Sequence, residues 1–126
     1  MNEQSLQILV LDDEPIVGKR LRTALEKNGY AVEVFEDSRV ALQRLGEKEF
    51  DIIVTDVRME EVDGIQVLEH VLERSGRTKV IVITGYATVE VAREALAKGA
   101  FDFIAKPFKP DDLREVISRA AAALKG

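Results

Sequence analysis

Three consecutive carboxylates, Asp12, Asp13 and Glu14, follow the apolar run Ile8 to Leu11 and precede Pro15. Like charges at contact distance repel by about 4 kcal/mol at an effective dielectric near 20. Crowding them at the end of a strand-like run therefore calls for positive charge at the same place. Pro15 suits the first position of a helix, which gives the cap to Glu14 and leaves both aspartates for other work. Three further segments end in residues of matching chemistry: Asp56 after DIIVT, Thr84 closing KVIVIT, and Lys106 after DFIA. Clustered carboxylates suit a hard cation such as Mg2+, which takes one or two of them together with waters and phosphate oxygens. A carboxylate is also a competent nucleophile toward phosphorus, giving an acyl phosphate. The Lys106 ammonium and the Thr84 hydroxyl would then serve the equatorial oxygens, because phosphoryl transfer rests mainly on positioning and charge neutralisation.

Such a site requires a fold that carries several strand ends to one rim. Short apolar runs at QILVL (7–11), AVEVF (31–35), DIIVT (51–55), KVIVIT (79–84) and DFIA (102–105) alternate with segments of helical period. Val17, Leu21 and Leu25 mark the first helix; Val40, Ala41 and Leu45 the second; Ile65, Leu68 and Leu72 the third. Val91, Ala92, Ala95 and Leu96 mark the fourth, and Leu113, Val116, Ile117, Ala120 and Leu124 the fifth. Five such units predict a parallel sheet with helices on both faces. Runs one, three and four are apolar almost throughout, as central strands are. Runs two and five alternate, as edges do, so the order 2-1-3-4-5 is expected, with the switch point between strands one and three. Helix ends are expected at Asn28-Gly29, Gly46 and Lys98-Gly99. A capping box of Asp63 with Gln66 is expected to open the third helix, and Pro110-Asp111 the fifth.

Composition narrows the function classes. The 126 residues carry a formal charge of −5, with 46% hydrophobic and 33% charged residues, which fits one globular domain with a real core. We expect a single domain over 1–126, with a core of about 5–124 and no output domain in this chain. No basic stretch suggests nucleic-acid binding. The absence of cysteine removes disulfides and thiolate chemistry, and a single histidine, His70, makes a catalytic triad a poor reading. His70 is expected on the polar side of the third helix, solvated and idle. No apolar run reaches the roughly 20 residues of a membrane span, and MNEQSLQ lacks signal-peptide character, so a cytoplasmic protein is expected.

The pieces LVLDDEP, DIIVTDVRM with Asp63-Gly64 after it, VIVITGYAT and GAFDFIAKPF together resemble a response-regulator receiver domain of two-component signalling, over essentially the whole chain. The resemblance implies a flavodoxin-like α/β fold of five strands and five helices, and a phosphohistidine of a sensor kinase or phosphotransfer protein as donor. It implies Asp56 as phosphoacceptor, and Asp12, Asp13, Asp56 and the backbone carbonyl of Arg58 as ligands of Mg2+. Thr84 would be the switch hydroxyl and Lys106 the phosphate-binding cation, with Lys106-Pro107 in the cis form. Phe103 would be the switch aromatic, without the hydroxyl of a tyrosine. The face of helix four, strand five and helix five would act on a downstream protein target or an attached output domain, or form a phosphorylation-linked homodimer. Arg58 and Tyr86, two residues beyond Asp56 and Thr84, would flank the hydrolytic water and set the lifetime of the phosphoryl group.

One departure stands out: Glu60 and Glu61 occupy positions where the family usually begins with proline, so the loop after strand three is expected to be freer, with altered Mg2+ affinity or kinase docking. Among competing readings, a phosphohydrolase of the haloacid-dehalogenase type needs an acid two residues after its nucleophile, where this chain has Arg58. A flavodoxin needs a Ser/Thr/Gly-rich phosphate loop where this chain has three acids. A phosphorylation-independent interaction module is the remaining alternative, weakened because every charged site residue is present. The expected role is thus a phosphoacceptor signalling domain, not an enzyme acting on external substrates.

Overall fold

The computed structural model describes residues 5–56, 64–85 and 89–125. Strands and helices alternate along the chain: β1 (Gln7–Leu11), α1 (Pro15–Glu26), β2 (Ala31–Phe35), α2 (Ser38–Glu47), β3 (Ile52–Asp56), α3 (Gly64–Arg74), β4 (Lys79–Thr84), α4 (Val89–Ala97), β5 (Asp102–Ala105) and α5 (Pro110–Lys125). The strands form one parallel sheet in the order β2-β1-β3-β4-β5, as the apolar patterning predicts.

The continuous apolar runs of the central strands follow from burial on both faces. Ile8, Val10, Ile52, Val54, Ile81 and Ile83 point to one side, where Leu21 and Leu25 of α1 and Leu113 and Ile117 of α5 cover them. Leu9, Leu11, Ile53, Val80 and Val82 point to the other, against Ala41 of α2, Val67, Leu68 and Val71 of α3, and Ala95 of α4. Each fully buried aliphatic side chain contributes about 1.5–3 kcal/mol, enough to lock the strand register. Helix α1 lies so close to β2 that a Cβ on Gly18 would come within 2.6 Å of Val34 Cγ1. Glycine allows that approach without displacing the Val34 side chain.

Helix termini match expectation in three cases. Gly29 and Gly99 take positive φ (88° and 110°) just beyond α1 and α4, and Pro110 opens α5. Gly46 does not end the second helix. The helix runs through it to Glu47, and the extended residue Lys48 closes the last turn with its N–H donating to the carbonyl of Arg44 at 3.0 Å. The Lys48 side chain, bonded to Gln7 Oε1 (2.7 Å) and Glu33 Oε2 (3.1 Å), holds that exit without a left-handed glycine. The start of α2, unanticipated from the sequence, is capped by Asp37, whose Oδ1 accepts from the N–H of Arg39 at 2.8 Å. Asp63 lies outside the described residues. No helix among those described is long and apolar enough to cross a membrane.

The edge strand β2 is covered by charge. Glu33 accepts from Arg44 at two nitrogens (2.9 and 3.1 Å) and from Lys48 at 3.1 Å, which discourages pairing with another chain along that edge. The Arg44 hydrogen bonds, helped by Lys48 against the cost of burial, hold the Glu33 carboxyl down at about 2. A carboxylate with a depressed folded-state pKa contributes stability that is complete above its ordinary value of 4.5 and lost as pH falls toward 2. Both side chains are about a third exposed, so solvent screening leaves about 1 kcal/mol for the pair. Arg44→Met should therefore lower stability by about that amount at pH 7, with the gap to the parent protein closing as pH falls through the acid range. Urea unfolding at several pH values would measure this; a gap independent of pH would contradict it.

Candidate functional site

Strand register builds the site. Leu11 lies opposite Thr55, Asp56 opposite Ile83, and Thr84 opposite Ala105, so four strands finish within a residue of one line. Asp12 continues the ladder by donating its N–H to Phe35 O at 3.1 Å, and its Oδ1 accepts the N–H of Glu14 at 2.8 Å, turning the chain into α1. Glu14 caps α1 with extended backbone and no side-chain cap bond, and Pro15 follows at the first helical position. Across the rim the Lys106 N–H donates to Thr84 O at 2.7 Å, and the Lys106-Pro107 bond is cis.

These constraints bring Asp12, Asp13 and Asp56 together, with one carboxylate oxygen from each within 4.8 Å of the others. Asp12 is fully buried and Asp56 nearly so, whereas Asp13 faces solvent. The positive charge demanded by the sequence is Lys106. Its Nζ lies 2.7 Å from Glu14 Oε1, 3.0 Å from Asp56 Oδ2 and 3.1 Å from Asp12 Oδ2. Burial alone would lower the Lys106 pKa, but the hydrogen bonds to Glu14 and Asp56 and the nearby Asp12 outweigh it and push the ammonium well above its ordinary range. Burial raises the Asp12 carboxyl, opposed by the N–H of Glu14 and by Lys106. The bond to Lys106 lowers that of Glu14.

One atom is left over. Among the described residues the buried Asp12 Oδ2 has no hydrogen-bond partner; its 3.1 Å contact with Lys106 is an ion pair. A buried acceptor in that condition costs about 1–3 kcal/mol, and more when charged. A cation among the three aspartates would satisfy it. Oxygen-only donors, one of them open to water, fit Mg2+, and the residues that would hold it are Asp12, Asp13 and Asp56.

Thr84 is buried at the same rim. Phe103, by contrast, points outward from β5 and is 39% exposed. Its N–H donates to Asp102 Oδ1 at 2.8 Å, and Asp102 Oδ2 pairs with Arg119 of α5 at 3.1 Å. Arg58, Glu60, Glu61 and Tyr86 lie outside the described residues. His70 departs from expectation: it is half-buried, and its Nε2 is shielded from solvent without a hydrogen-bond partner among the described residues. It lines a pocket of about 260 Å³ between α2 and α3, because this turn of α3 packs toward Phe50 and Ile53 rather than outward. A larger groove of about 730 Å³ opens beside the acidic site, walled by Val17, Leu21 and Phe108, with Glu14, Asp56 and Lys106 on its border. The sequence reading missed the bond between Glu14 and Lys106. Its signal was a third acid beside Pro15, whose cap needs no side chain.

The model of the response regulator receiver domain matches residues 8–118. The chain belongs to that family. It is thus a receiver domain of the kind found in two-component response regulators. It is 40% identical over 114 residues to regulatory protein AtoC of Escherichia coli (strain K12), an alignment covering 90% of this chain and 25% of AtoC. It thus spans about a quarter of that relative. Among solved structures, a receiver domain protein (CheY-like) from Methanospirillum hungatei JF-1 superposes with a TM-score of 0.91 at 28% identity, covering 96% of this chain and 97% of the other. The beryllofluoride-activated NtrC4 receiver domain dimer gives 0.88 at 35% identity, covering 94% and 98%.

The acidic cluster has a direct thermodynamic consequence. A ligand that binds only the folded state, at ten times its dissociation constant, stabilises it by about 1.4 kcal/mol. Mg2+ titrated against urea unfolding should produce such a gain. Asp13→Asn, at an exposed position, should change stability without the ion by less than about 0.5 kcal/mol yet remove most of the gain. Equal gains in both proteins would place the ion elsewhere.

Proposed function

We propose that this chain is a phosphorylation-controlled switch in which Asp56 accepts a phosphoryl group. The observation that carries the reading is the Lys106 ammonium 3.0 Å from the nearly buried Asp56 carboxylate, beside an acidic cluster with an orphaned oxygen. In the reaction an Asp56 oxygen attacks phosphorus in line. The bond from phosphorus to the donor nitrogen breaks, and the imidazole of a kinase or phosphotransfer protein leaves. Lys106 neutralises charge on the transferred oxygens, and the buried Thr84 hydroxyl stands ready to donate to one of them. Mg2+, held by Asp12, Asp13, Asp56 and the Arg58 carbonyl, would supply further charge neutralisation when bound. Arg58 and Tyr86 would set how readily water reaches the acyl phosphate.

The switch is a population shift, driven by whatever binds one conformation better. Drawing Thr84 toward the phosphoryl group would leave room for Phe103, whose outward position in the present conformation corresponds to the resting state. Leu96, also 39% exposed, lies on the neighbouring α4, so α4, β5 and α5 offer a partly apolar surface for an output domain, a target or a second copy. The dimeric state named for the activated NtrC4 domain supports this. The receiver domain would work in the cytoplasm as a phosphoacceptor rather than as an enzyme on external substrates.

Incubation with acetyl phosphate and Mg2+, followed by intact-mass measurement, tests the reading. One added phosphoryl group on the parent protein and none on Asp56→Asn is the expected result. Steady turnover of the donor without a modified protein would indicate a hydrolase, and no modification a passive interaction module.

A further inference from the structure

The Lys106 ammonium has three N–H donors, and among the described residues it donates to Glu14 (2.7 Å) and Asp56 (3.0 Å). Of its three acidic neighbours, Asp12 and Asp56 belong to the cluster that fits a cation, and Glu14 does not. The Glu14 side chain has no capping bond, since the turn into α1 is held by the Asp12 carboxylate on the Glu14 N–H. Among the described residues its carboxylate has one ionic partner, Lys106. Helix α1 therefore has no use for that carboxylate, and the site does.

We propose that Glu14 is a positioning residue: it holds Lys106 in the unphosphorylated protein and has to release it before the ammonium can serve the phosphoryl group. The inference rests on Asp56 being the phosphoacceptor. When an Asp56 oxygen attacks acetyl phosphate, the bond from phosphorus to the acetyl oxygen breaks and acetate departs. The attacking oxygen then lies within a C–O–P linkage and has lost its charge. Lys106 is left to re-pair with the phosphoryl oxygens. Glu14 gains no replacement partner, and the new anion repels it. Each phosphorylation thus works against the Glu14–Lys106 pair, and each dephosphorylation is favoured by its return. With 62% of the Glu14 side chain exposed, water takes over its solvation readily, so the brake is mild, within the range of a surface ion pair.

The second-order rate of modification by acetyl phosphate at saturating Mg2+ tests this, with parent, Glu14→Gln, Glu14→Asp and Asp56→Asn proteins followed by intact mass. Glu14→Gln removes the charge. Glu14→Asp keeps the charge but shortens the side chain by one methylene and loses the reach to Lys106. Both are expected to react about two- to fivefold faster than the parent, with unfolding midpoints equal or slightly lower, as loss of one surface ion pair requires. A Glu14→Gln rate equal to or below the parent's would overturn the proposal. So would a fast Glu14→Gln beside a Glu14→Asp no faster than the parent, because the effect would then belong to negative charge near the incoming anion. Failure of the underlying phosphoacceptor reading looks different: the parent protein itself would stay unmodified.

Discussion

An ammonium surrounded by three carboxylates ties the carboxyl ends of β1, β3 and β5 to one another. Lys106 reaches Asp12, Glu14 and Asp56 at 2.7–3.1 Å, and each of those acids would be far costlier to keep ionised near the others without it. The arrangement is under-neutralised even so. Among the described residues four acids, counting Asp13, face one lysine, and the buried Asp12 Oδ2 has no hydrogen-bond donor. Surplus negative charge at one rim suits a cation, and a cation with an ammonium is what a phosphoryl group requires.

The rest of the fold exists to hold that geometry. A parallel sheet buried on both faces fixes its register through aliphatic side chains alternating between two cores. A slip of one residue would turn each strand's core residues to the wrong face and would also pull Asp56 away from Lys106. Site and core are therefore specified by the same register. The groove beside the acids and the outward face of β5 lie at the margins, where packing constrains the chain less.

Much of this was legible in the sequence, because the periodicities are strong. Unbroken apolar runs identified the central strands, alternation identified the edges, and a parallel order then placed Asp12, Asp56, Thr84 and Lys106 on one rim. What escaped was set by long-range side-chain contacts that no local pattern encodes. Gly46 looked like a helix end, yet Lys48 closes that helix through Glu33 and Gln7, partners 15 and 41 residues away. His70 looked solvated beside Glu69, but the rotation of α3 over Phe50 and Ile53 tucks its Nε2 out of water. Glu14 was read as a cap, and in the fold its backbone does that work while its carboxylate reaches 92 residues along the chain to Lys106.

In the proposed switch Lys106 is shared between the acids that hold it here and an incoming phosphoryl group. A crystal structure of the protein with Mg2+ and beryllofluoride tests it most directly. The metal is expected among Asp12, Asp13 and Asp56, the beryllium on an Asp56 oxygen, and Lys106 Nζ moved off Glu14 onto a fluorine. Beryllofluoride bound to Asp56 with the Glu14–Lys106 contact intact, or a metal bound away from the three aspartates, would contradict it.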